Sequence, residues 1–138
     1  MTDPIVPAGE GQTELSDEEA GHYRMRETNI GIEPARISTE VRSLVEDARS
    51  WIAFETYPLD ELCVRFHHRL VFIHPFPNGN GRHGRIAADY LAMALGRERF
   101  TWGSTMQATT EALRAAYLSA LQQADRGEFN DLLLFARS

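Results

Sequence analysis

From Ser38 onward the apolar residues of the chain recur at helical spacing. Val41, Leu44, Val45, Ala48, Trp51 and Ile52 fall at the i, i+3, i+4 intervals that line one face of a helix. Ser38 or Thr39 ahead of them is of a residue type that caps a helix N-terminus. The same spacing predicts a second helix from about Pro58 to Ile73, with Leu59, Leu62, Phe66, Leu70 and Ile73 on one stripe. The Pro- and Gly-rich run His74–Gly81 interrupts the pattern and predicts a loop. A third helix, from near Arg82, presents Ile86, Ala87, Tyr90, Leu91 and Ala94 before Gly96 stops it. A fourth, from about Met106 to Ala124, presents Leu113, Tyr117, Leu118 and Leu121 and ends before Gly127. A short helix from Asn130 to Arg137 closes the chain. Upstream, Ile30 and Ile32 alternate with smaller residues and Glu33-Pro34 reads as a turn, so a short β-hairpin or extended flap is expected over about 28–37. A lone hairpin is marginally stable and must lean on the helices. The fold class is therefore mainly α with a small β element. It occupies residues 21–138 and follows an acidic segment over 1–20, whose Gly, Pro, Asp and Glu content predicts flexibility.

Composition narrows the function. A length of 138 residues is that of one ordinary domain. Fourteen Lys and Arg against twenty Asp and Glu give a net charge of -6. That balance argues against direct binding of nucleic acid, which needs a basic face. A single cysteine, Cys63, excludes an internal disulfide framework and fits a reducing compartment. It lies near the apolar stripe of the second helix, where burial is expected rather than reactivity. The N-terminus has no basic n-region and no apolar h-region. The longest apolar runs, such as Leu132–Phe135, are far short of the roughly 20 residues of a membrane span. A cytoplasmic domain without a membrane partner is expected.

The chemistry gathers in the stretch His74-Pro-Phe-Pro-Asn-Gly-Asn-Gly-Arg-His-Gly-Arg85. Gly79 and Gly81 free the backbone so that successive N–H groups can point into one concavity. That concavity leads into a helix N-terminus, where the N–H groups and the dipole favour an anion. Arg82 and Arg85 lie one turn apart and can reach the same polyanion. Cations at a helix N-terminus oppose the dipole, which again favours an anionic ligand between them. A di- or triphosphate is the natural guest. His74 stands just before the loop, and an imidazole titrating near pH 6.5 is suited to take a proton from a hydroxyl. Phe76 is expected to pin the loop to the core. His67, His68, His74 and His83 are close in sequence, but no HxxxH pair is present and no Cys or acid falls at zinc spacing. His67 and His68 read as one packed and one polar helix position, and Trp51, Phe100 and Trp102 as core.

This stretch resembles the signature of the Fic (Fido) family, HxFx[D/E]GNGRxxR. His74, Phe76, Gly79, Asn80, Gly81, Arg82 and Arg85 match it, and Asn78 stands where the family has an acid. At roughly 5% usage per residue type, seven such matches arise by chance about once in 10⁹ windows. The wider pattern, with HHRLV upstream and FTWG and LLLFARS downstream, is similar to the branch called mobile mystery protein B. The resemblance implies a helical fold holding ATP with Mg²⁺ or Mn²⁺, and transfer of AMP to a Ser, Thr or Tyr hydroxyl of a target protein. It implies that His74 is the catalytic base. Gly79, Asn80 and Gly81 would hold the α- and β-phosphates, and Arg82 and Arg85 the outer ones. Asn78 would be a weak metal ligand, because Mg²⁺ prefers charged oxygen. The flap residues Asn29, Ile30, Gly31 and Ile32 would pair with the target as an added strand. Family members usually carry additional helices before the flap, whereas here an acidic lead-in runs almost directly into Tyr23, which leaves apolar surface open. The family's inhibitory pattern [S/T]xxxE[G/N] is approached at Ser16–Gly21, but Ala20 replaces the glutamate. An inhibitor, as in toxin–antitoxin branches, is therefore expected in trans, as an antitoxin protein. Two alternatives stand beside AMP transfer. One is a degenerate nucleotide- or partner-binding module. The other is phosphoryl transfer as in the Doc branch, which carries Lys where this chain has Gly81.

Overall fold

The computed structural model describes residues 23–25 and 31–138. The acidic segment over 1–20 lies outside them, as do Asn29 and Ile30 of the anticipated flap. Among the described residues there are five α-helices. They are α1 (Ile37–Ala53), α2 (Leu59–Ile73), α3 (Asn80–Ala94), α4 (Thr110–Asp125) and α5 (Asn130–Arg137), with a 3-10 turn at Pro34–Arg36 leading into α1.

The helical class is as the periodicity predicts, with several boundaries moved. Gly31 and Ile32 form a bend, and Pro34, whose fixed φ suits a first helical position, opens the 3-10 turn instead of a hairpin. The described part of the flap thus has no strand. That turn runs directly into α1, so Ser38 and Thr39 are inside the helix and cap nothing. α4 begins at Thr110, four residues inside the expected start, because the Thr109 hydroxyl accepts from the Ala112 N–H at 3.0 Å and fixes the N-terminus there.

α2 is the central wall. Leu70 and Ile73 join Ile37 and Leu44 of α1 in one buried cluster. Cys63 and Val64, on another face of α2, join Ala88 and Ala92 of α3, Phe100, Trp102, Leu113, Tyr117, Leu132 and Phe135 in a second. A helix packed on more than one side loses its single-stripe signature. α3 departs furthest from its predicted face. Ile86 and Tyr90 are exposed, and the helix buries Gly84, Arg85, Ala88 and Ala92 instead. Small residues let α3 approach α2 closely: a Cβ at Gly84 would sit 2.9 Å from Val71 Cγ2. The larger apolar groups are therefore turned outward. Leu118 of α4 is likewise partly exposed, with Leu113, Tyr117, Ala120 and Ala124 turned inward.

Candidate functional site

α2 ends where His74 turns left-handed, at φ 55° and ψ 59°, its N–H still donating to the Leu70 carbonyl at 3.2 Å. Glycine usually fills such a position. A side chain there costs on the order of 1 kcal/mol, so the histidine is held against a local preference. The turn drives Pro75 into the interior. Phe76 follows, its ring 5.8 Å from Tyr23 and 4.6 Å, edge-on, from His83. Gly79 is also left-handed, at φ 73°, with no atom within 4 Å of where a Cβ would stand. Its requirement is conformational rather than steric. α3 starts at the next residue, two positions earlier than the sequence predicts.

That early start gives Asn80 a specific task. It is buried, and both ends of its amide are engaged by Phe76: Oδ1 accepts from the Phe76 N–H and Nδ2 donates to the Phe76 carbonyl, each at 2.8 Å. The side chain that the resemblance assigns to phosphates closes the loop as a clasp. Gly81 is buried in the first helical turn, Gly79 and Asn78 are partly buried, and Arg82 is exposed. The positive end of the α3 dipole points into this loop. Arg85 departs from expectation. It is 1% exposed, and its guanidinium lies 5.1 Å from the Tyr117 ring centroid. The two arginines are one turn apart, but α3 presses its inner face onto α2 and carries Arg85 inward with it. They do not share one solvent-facing cradle.

His67 and His68 do structural work. His67 is buried, 2.8 Å from the Tyr117 hydroxyl and with its ring 4.6 Å from that of Trp102. Burial pushes its pKa down to about 3, so it is neutral at physiological pH and unfit for proton exchange with substrate. His68 pairs with Asp125 at 2.7 Å. Burial also lifts the Cys63 thiol to about 12, which makes it an inert core group.

Solved structures of similar architecture share this helical frame. Fic-1 from C. elegans matches in two forms. One has 25% identity and a TM-score of 0.64 over 87% of this chain and 34% of that one. The other has 23% identity and a TM-score of 0.69 over 88% and 34%. A Fic domain containing signaling protein from Bacteroides thetaiotaomicron VPI-5482 matches with 23% identity and a TM-score of 0.64, over 84% of this chain and 48% of that one. The chain thus spans between a third and a half of the length of these solved proteins. The family model for Fic/DOC matches residues 9–92, most of the chain and the whole of the loop. The chain belongs to the Fic/DOC family.

A divalent metal, which the Fic resemblance implies beside ATP, finds a poor set of donors on the protein. Among the described residues no three His, Cys, Asp or Glu side chains group to hold an ion. The loop itself carries no carboxylate, and Asn78 offers only a neutral carbonyl where Mg²⁺ prefers charged oxygen. The Fic/DOC loop also has a neighbour that the sequence reading passed over, Arg24. It is 3% exposed, and its bonds reach backbone carbonyls of Ile32, Ile73, His74 and Pro75. Carbonyls carry no residue identity, so no pattern of side chains announces this contact. The signal available was an arginine placed next to Tyr23, immediately before the flap.

Proposed function

We propose that this Fic/DOC chain transfers AMP from ATP to a hydroxyl side chain of a target protein, with His74 as the base. What carries the reading is one short loop with His74 at its entrance and an α3 N-terminus at its exit, closed by the Asn80–Phe76 clasp. The target's hydroxyl oxygen bonds to the α-phosphorus as its proton passes to the His74 imidazole, and the bond to the pyrophosphate oxygen breaks. The loop N–H groups and the dipole of α3 stabilise charge on the phosphate oxygens as it builds. Arg82, exposed at the start of α3, meets the outer phosphates. Arg85 acts from beneath, as a fixed positive charge. The target would dock on the flap, whose described residues Gly31 and Ile32 bend against the end of α2.

The test is labelling of host lysate with α- and γ-labelled ATP, comparing this chain with His74→Ala. Incorporation from the α-phosphate is expected to fall by at least about a hundredfold in the variant. Label from the γ-phosphate alone would move the reading to phosphoryl transfer. ATP binding by calorimetry with no transfer from a folded chain would make it a nucleotide-binding module, a reading that Asn78 and the buried Arg85 favour.

A further inference from the structure

We propose that Arg24 is a positioning residue that locks the His74 turn and the flap into one unit. The arginine is fifty residues from His74 in sequence, yet its Nε donates to the His74 carbonyl at 2.5 Å. One terminal nitrogen donates to the Ile73 carbonyl at 3.3 Å and to the Ile32 carbonyl in the flap. Its own backbone N–H donates to the Pro75 carbonyl at 2.8 Å. The last carbonyls of α2 form the negative end of its dipole and have no partners further along the helix, so a cation is favoured there. A planar guanidinium with several fixed donors can hold carbonyls on both sides at once, which an ammonium cannot.

A second feature points the same way independently. Gly31 has φ +96°, and a Cβ there would lie 2.6 Å from an Arg24 terminal nitrogen, 2.6 Å from the His74 Cβ and 3.0 Å from the Ile73 carbonyl. The flap comes this close to His74 only because residue 31 has no side chain. Arg24 fills the remaining gap and binds both sides. Because His74 holds a left-handed conformation that its own side chain disfavours, an external tie is what keeps the imidazole where the loop needs it. In the reaction proposed above, on which the kinetic part of the argument rests, base and target-docking edge then move together.

The experiment uses the whole chain as wild type, Arg24→Gln, Arg24→Lys and Gly31→Ala. Hydrogen exchange is followed on peptides covering 71–80 and on peptides from α4 and α5. Arg24→Gln is expected to raise exchange in 71–80 by about tenfold while α4 and α5 keep wild-type rates. In the labelling assay the maximal rate is expected to fall about tenfold to a hundredfold. The ATP concentration for half-maximal rate should change by less than about twofold. Arg24→Lys restores part of the rate, because one ammonium satisfies some of the carbonyls. Gly31→Ala, which displaces Arg24 without removing it, reproduces the loss and serves should Arg24→Gln fail to fold. Unchanged exchange in 71–80, or equal loosening of α4 and α5, overturns the proposal, as does an ATP half-saturation that rises in step with the loss of rate. A wild-type chain that transfers no AMP while Arg24→Gln still loosens 71–80 selectively overturns the AMP-transfer reading and leaves the lock supported.

Discussion

Asn80 joins two residues of one loop through both ends of its amide, so its removal strands a donor and an acceptor together. Phe76 N–H and C=O each lose their partner in Asn80→Ala, and a buried polar group left unmet costs about 1–3 kcal/mol. Denaturant unfolding of Asn80→Ala is expected to show a loss of about 2 kcal/mol or more. Asn80→Asp should recover less than half of it, because its carboxylate accepts from Phe76 N–H but repels the Phe76 carbonyl. An equal stability for Asn80→Ala and wild type would refute the clasp. Asn78 lies two residues away and faces the opposite test. It is partly buried and supplies a neutral oxygen, so Asn78→Asp adds the charge that divalent ions prefer. In the transfer assay the Mg²⁺ concentration for half-maximal rate is expected to fall by at least about tenfold in this variant. No change in that concentration would mean that the ion is held by the phosphates alone.

At the scale of helices, the contact of α2 with α3 sets the site. Gly84 permits that contact: a Cβ would meet Val71 Cγ2 at 2.9 Å and the His67 ring at 3.1 Å. Overpacking of a formed core costs about 1–3 kcal/mol, so Gly84→Ala should lower the free energy of unfolding by about that amount and push α3 off α2. Lowered ATP binding is the expected companion, since Arg85 and the α3 N-terminus ride on the same helix. Gly84→Ala with wild-type stability would show that the two helices are not in register as described. The same contact explains what the sequence could and could not disclose. Five helices, the loop, and the stops at Gly96 and Gly127 were legible, because periodicity, glycine and proline act locally. The buried face of α3 was not. Apolar bulk favours Ile86 and Tyr90 over Gly84 and Ala88, whereas close packing selects the small residues. The turn at Gly79 was legible, as was the place of His74 at the loop's entrance. The inward placement of Arg85, the Asn80 clasp and the reach of Arg24 depend on tertiary neighbours and backbone carbonyls, which carry no local pattern.

The molecule as a whole is built to be undone by acid in two steps. Asp60, at the start of α2, takes Arg137 of α5 bidentately at 2.7 and 2.9 Å and Arg97 beyond α3 at 3.1 and 3.2 Å. The Arg137 hydrogen bonds, against the opposing effect of burial, hold the Asp60 carboxyl at about 2 instead of the usual 3.8. A depressed carboxyl stabilises the fold above its unfolded value and loses that contribution as pH falls through the folded one, so this step lies between about pH 4 and pH 2. Its size is about 1–2 kcal/mol after allowance for partial exposure. His67 acts at higher pH. Burial holds it near 3 while an unfolded chain protonates at the ordinary 6.5, so the unfolded state binds the extra proton throughout that interval and stability falls as pH drops from 6.5. Thermal unfolding between pH 8 and pH 3 should therefore show a flat midpoint at the alkaline end, a decline below pH 6.5, and a steeper one below pH 4. His67→Gln removes the titrating ring and loses stability through its contacts with Tyr117 and Trp102. Its midpoint should start lower and decline less steeply between pH 6.5 and pH 4, where His83, whose imidazole burial also holds down, still contributes, before Asp60 takes over. A decline of undiminished slope in His67→Gln would assign the upper step to another group. Asp60→Asn, in turn, should keep the upper step and lose the lower one.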